Sequence, residues 1–73
     1  MAHDLSGIHL SFDDRSGWNF AGQNLTGASF IYAGLQNANL NHANLTNANL
    51  RFARLSGADL SEAIVRGANF AHS

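Results

Sequence analysis

The sequence predicts an all-β solenoid, a chain wound into a coil of short, turn-separated sides. Two series of residues lead to it. Large apolar residues recur at every fifth position, at Leu5, Leu10, Phe20, Leu25, Phe30, Leu35, Leu40, Leu45, Leu50, Leu55, Leu60, Val65 and Phe70, with Arg15 breaking the run. Two residues before these centres stands a second series, Ala28, Ala33, Ala38, Ala43, Ala48, Ala53, Ala58, Ala63 and Ala68. A small polar residue usually separates the two, as in Asn24, Asn39, Asn44, Asn49, Asp59 and Asn69.

A period of five fits neither a helix, which repeats every 3.6 residues, nor a plain strand, which repeats every two. Leucine at every fifth position of a helix would wind around all sides and leave no stripe to bury. The spacing is explained if each unit is one short side of a coil followed by a turn. The centre and the Ala two before it then point inward together, on the two-residue period of extended chain. The remaining positions hold mostly Asn, Ser, Thr, Gly and Gln, which suit turns because they bond nearby backbone or tolerate positive φ.

The stretch Ala38-Asn39-Leu40-Asn41-His42, Ala43-Asn44-Leu45-Thr46-Asn47, Ala48-Asn49-Leu50-Arg51-Phe52 resembles the pentapeptide-repeat family, whose motif is A-(D/N)-L-x-x. The resemblance runs from residue 4 to residue 72. It implies a right-handed quadrilateral β-helix with four units per coil, hence about 20 residues per turn and about three and a half coils. At ordinary strand spacing such a tower is about 17 Å tall.

Residues 1–19 are expected to form an irregular capping coil and residues 20–73 the regular coils of the same domain. In the first coil His3, Ile8, Asp13 and Trp18 replace the inward Ala, and Arg15 takes a centre position. Such large residues do not fit a narrow coil, so Trp18 is read as the lid of the core. The run Asp13-Asp14-Arg15-Ser16-Gly17 is read as a polar turn with a local ion pair. At the other end regular repeats run to Phe70 with no amphipathic helix after them. Leu55, Leu60, Val65 and Phe70 would then be exposed on the bottom of the last coil, beside unpaired strand edges. Either a second copy docks there, as the resemblance implies for a family with many members dimeric through their C-terminal ends, or the chain is a repeat segment of a longer protein.

Four units per coil place residues twenty apart in vertical columns. One column, Phe12, Tyr32, Phe52 and His72, is aromatic and faces outward; Ile31 and Arg51 flank it. The other columns at that position are Gly, Asn, His and Glu. The aromatic column has two readings, rings that stabilise adjacent coils or a binding face. His42 and Glu62 share a column, but a solvated pair is expected there, since zinc takes three or four ligands.

Composition narrows the function. At 73 residues there is room for one domain. No cysteine is present, so there is no disulfide framework and no thiolate chemistry. Four Arg against five acidic residues gives a net charge of −1, without the basic footprint of a nucleic-acid or anionic-lipid partner. No apolar run approaches the ~20 residues of a membrane span. Met1-Ala2-His3-Asp4 begins no signal peptide, so a cytoplasmic location is expected. No catalytic grouping, cofactor site or metal site emerges. The expected function is that of a non-enzymatic structural or protein-interaction module, pairing with itself or a protein partner through its C-terminal end or aromatic side. The resemblance also implies an alternative, a DNA-mimicking inhibitor or protector of DNA gyrase. Duplex DNA carries a charge every ~1.7 Å, so a mimic of that height would need about ten negative charges; this chain has five, offset by four Arg.

Overall fold

The five-residue unit satisfies its own backbone, and that explains why it repeats. In the unit around Leu25 every N–H has a partner. Leu25 N donates to Asn44 O (2.7 Å) and Gly27 N to Thr46 O (2.8 Å), both in the following coil, while Ser29 N donates to Ile8 O (2.8 Å) in the preceding one. Ala28 N closes the turn onto Leu25 O at 3.0 Å. The fifth, Thr26 N, is taken by the Asn24 side chain, whose Oδ1 accepts it at 3.2 Å. Buried backbone groups must be paired, and here five residues of sequence achieve it without a long strand.

The computed structural model describes residues 4–73; His3 of the inward series lies outside them. Parallel bridges join residues twenty apart all along the chain, from Asp4↔Asn24 through Asn24↔Asn44 to Asn49↔Asn69. Twenty residues are four units, so the coil has four sides. Parallel strands need a crossover of a dozen or more residues, and here the other three sides of the coil provide it. The described chain measures 28 × 21 × 18 Å along its principal axes.

The Asn or Asp that stands before most centres is a turn-former. Asn19, Asn39, Asn49 and Asn69 each accept the N–H two residues on through Oδ1, as do Asp4, Asp14 and Asp59. Asn24 and Asn44 also accept the hydroxyls of Thr26 and Thr46. Such Asx bonds hold a turn locally. The residue two after each centre lies in the left-handed region throughout, from φ 57° at Glu62 to φ 74° at Gly17. Glycine fills six of these positions and other residues fill eight.

Inside, the centres from Phe20 to Leu50 and the Ala series from Ala28 to Ala53 are buried, and Leu10 joins them. Leu5, Leu55, Leu60 and Phe70 are partly buried against this cluster, whereas Val65 is 43% exposed. Every centre with described coils on both sides, from Leu25 to Leu50, is sealed; at the first coil Leu10 and Phe20 are buried as well, Phe20 under the Trp18 ring, whereas the centres of the last coil are not.

The first coil departs from the rest in its side chains alone. Arg15 N donates to Gly34 O and Gly17 N to Gln36 O, both at 2.8 Å, and Trp18 N closes onto Arg15 O at 3.0 Å. Residues 13–17 are therefore a regular side of the coil, not a separate polar loop. Arg15 occupies a centre position, its Nη2 2.9 Å from Asp13 Oδ2. Its guanidinium carbon lies 4.1 Å from the Trp18 ring centroid. Trp18 is 48% exposed and stacks on Phe20, centroids 6.0 Å apart.

Candidate functional site

The aromatic column forms one continuous stack. Phe12 and Tyr32 have centroids 5.3 Å apart at 12°, Tyr32 and Phe52 4.6 Å at 2°, and Phe52 and His72 4.9 Å at 13°. The ring spacing follows the ~4.8 Å rise between rungs. Phe12 is 75% and Tyr32 51% exposed. Arg51 reaches over Phe52, with its guanidinium carbon 5.9 Å from the centroid, and Ile31 is half-buried beside the column.

These rings sit where the backbone least favours them. Phe12, Tyr32, Phe52 and His72 have φ of 66°, 58°, 61° and 59°. An L-residue in that region carries about 1–2 kcal/mol of steric cost that glycine avoids. Stacked pairs recover about 0.5–1.5 kcal/mol each, so the three stacks return only part of the strain of the four residues. The three other columns at this position use Gly and Asn freely.

The adjoining side of the coil, residues 13–17 and their equivalents, breaks a second local rule. Its residues before the centres are Asp14, Gly34 and Arg54, joined by the bridges Asp14↔Gly34 and Gly34↔Arg54. Gly34 and Arg54 have no oxygen with which to close the Asx turn. A notch of about 500 Å³ lies beside Gly34, lined by Phe12, Tyr32, Gln36, Asp14 and Arg54, with Asp14 one rung above Gly34 and Arg54 one rung below. A Cβ at Gly34 would stand 3.0 Å from Gln36 Oε1 and 3.3 Å from Asp14 Oδ1. The Asp14 carboxyl is held below its ordinary range, chiefly by the Ser16 hydroxyl and then by the Ser16 N–H, with a smaller contribution from the Arg54 charge. The Arg54 guanidinium enters no ion pair among the described residues.

Sequence reasoning assembled the aromatic column but missed Asp14, Gly34 and Arg54 as a group. The loss of Asn or Asp at Gly34 and Arg54 was visible, but His9, Ser29 and Ile64 lack it too, so that signal alone did not single out the group. His42 Nε2 lies 2.5 Å from Glu62 Oε2 one coil on, both exposed, and His42 Nδ1 meets Asn41 Oδ1. Among the described residues no three His, Cys, Asp or Glu side chains gather in a metal-binding cluster, and no helix is long and apolar enough to cross a membrane.

The family model for pentapeptide repeats matches residues 4–41 and 33–71. Pentapeptide repeat proteins are among the solved structures that resemble the chain. A pentapeptide repeat protein from the Arabidopsis thaliana thylakoid lumen is 38% identical with a TM-score of 0.93, over 94% of this chain and 48% of that one. Rfr23, a pentapeptide repeat protein of the cyanobacterium Cyanothece, is 41% identical with a TM-score of 0.75, over 90% of this chain and 48% of that one. HetL from the cyanobacterium Nostoc, involved in regulating heterocyst differentiation, is 35% identical with a TM-score of 0.60, over 89% and 33%. The chain thus spans half or less of each of these relatives. No curated protein matches it by sequence.

Proposed function

The chain belongs to the pentapeptide-repeat family, and from that premise we propose that it is a non-enzymatic protein-interaction module, a rigid rod that engages a second copy or a protein partner through its aromatic side. The family premise also supports a right-handed sense for the coil, and the twenty-residue register over residues 4–73 corresponds to about three and a half coils. One observation carries the functional reading. Four outward rings share a strained backbone position at which three other columns use smaller or polar residues. A contiguous exposed apolar strip on a small protein marks an interface, and backbone strain concentrates at functional sites.

A role in regulation, such as the involvement of HetL in heterocyst differentiation, suits a module that acts by binding. The DNA-mimic alternative gains no support, because Arg51, Arg54 and Arg66 interrupt any acidic strip. One relative comes from the thylakoid lumen, so the cytoplasmic expectation is carried no further.

The test is light scattering coupled to size exclusion over a wide concentration range, on the wild type and on Tyr32→Asn/Phe52→Asn. Asn tolerates the left-handed region, so the double variant retains the circular dichroism of the parent. The expected result is an assembly whose dissociation constant rises at least ten-fold in the variant. Self-association through this side is refuted by a wild type that stays monomeric throughout, or by a variant that associates as the parent does.

A further inference from the structure

We propose that the notch at Gly34 is a binding site for a small zwitterion with an apolar side chain, an α-amino acid of the aromatic or branched kind. The notch shares Phe12 and Tyr32 with the ring stack, but its ligand is a small molecule and its test reads Gly34, Gln36 and Arg54, so it can fail separately from the interaction reading.

Three features of the notch converge on this ligand class. A carboxylate and a guanidinium face the gap from opposite coils, Asp14 above and Arg54 below. They lie two rungs apart, about 9.6 Å along the axis, and do not pair with each other. Asp14 offers an acceptor for an ammonium group. Arg54 offers a fork that suits a carboxylate. A ligand bearing both charges satisfies both, whereas a plain anion meets Asp14 and a plain cation meets Arg54. The flank supplies the apolar contact, since Phe12 and Tyr32 line the same notch. Its volume, about 500 Å³, falls in the range of small-molecule sites.

The sequence departs from its own repeat at this place. Gly34 and Arg54 each forgo the Asx bond that Asn19, Asn24, Asn39, Asn44 and Asn49 make. Departures from local rules without local gain collect at functional sites, and here two of them border one notch. Gln36 Oε1 and Asp14 Oδ1 stand 3.0 and 3.3 Å from where a Gly34 Cβ would be, so polar atoms line the notch beside Gly34.

The experiment titrates the isotopically labelled chain at pH 7 with L-phenylalanine, following backbone amide shifts by NMR, beside phenethylamine and 3-phenylpropionate, which each lack one charge. Saturable shifts at Gly34, Gln36 and Arg54 are expected, with binding at least ten-fold weaker for each one-charge analogue. Gly34→Asn restores the residue type that the repeat uses there and fills the notch; it should weaken L-phenylalanine binding at least ten-fold. Arg54→Gln, at an exposed position, should do the same and guards against any folding defect in the first variant. The proposal is overturned if L-phenylalanine gives no saturation up to its solubility limit, if the analogues bind as well, or if binding survives Arg54→Gln unchanged.

Discussion

Truncating Leu45 to alanine tests the solenoid at its centre. Leu45 is fully buried, with coils above and below, flanked inward by Ala43 and Ala48. Its N–H donates to Ile64 O at 2.7 Å and its C=O accepts from Ala48 N at 2.9 Å, so the backbone is pinned on both sides. The space left by the lost side chain therefore cannot close by local collapse. Leu→Ala changes in cores cost 2–5 kcal/mol, more where the site cannot relax, and about 3–5 kcal/mol is expected here. Val65 holds the equivalent position one coil further on and is 43% exposed. Val65→Ala should cost under about 1 kcal/mol, because little of that side chain leaves water on folding. A domain of this size has on the order of 4–11 kcal/mol of total stability, so Leu45→Ala is measurable by urea unfolding followed by circular dichroism, with the slope m unchanged. Leu45→Asp, which buries an unpaired charge, should abolish folding. Equal losses at Leu45 and Val65, or a folded Leu45→Asp, would refute the inward assignment.

Two further outcomes follow from the turns. Asn44→Ala removes the acceptor for the N–H and hydroxyl of Thr46 and should cost about 0.5–1.5 kcal/mol; Ile64→Asn, in the same column with a half-exposed side chain, should raise stability by about the same amount in the same urea assay. Asp4, Asp14 and Asp59 have folded pKa values held below the ordinary carboxylate range by Ser6, Ser16 and Ser61, first through the hydroxyl and then through the N–H. Their contribution is present above the unfolded value near pH ~4 and disappears as pH falls through the folded values. Thermal melts should therefore hold steady down to about pH 4 and decline below it, and a combined Asp→Asn variant at the three positions should show a shallower decline.

The period of five, the inward Leu and Ala series and the turn-forming Asn were legible because each is a local demand, met within one unit. The aromatic column was legible as well, once four units per coil placed Phe12, Tyr32, Phe52 and His72 in line. Its strain was not, since φ appears in no residue list until the turn is built. The Arg15 side also read differently. Its polar residues suggested a loop, but the turn and rung bonds of the backbone do not depend on what the side chains are, and so the coil ran through.

The amino-acid sequence by itself determined the unit and its direction of burial, because each side of the coil satisfies its own turn and presents the same two residues inward. Tertiary structure decided everything that depends on stacking. It set which centres are sealed, since Leu45 and Val65 carry the same pattern and differ only in having coils on both sides. It also made the notch, because Asp14, Gly34 and Arg54 are unremarkable twenty residues apart and become one site only when a parallel rung of ~4.8 Å brings them together.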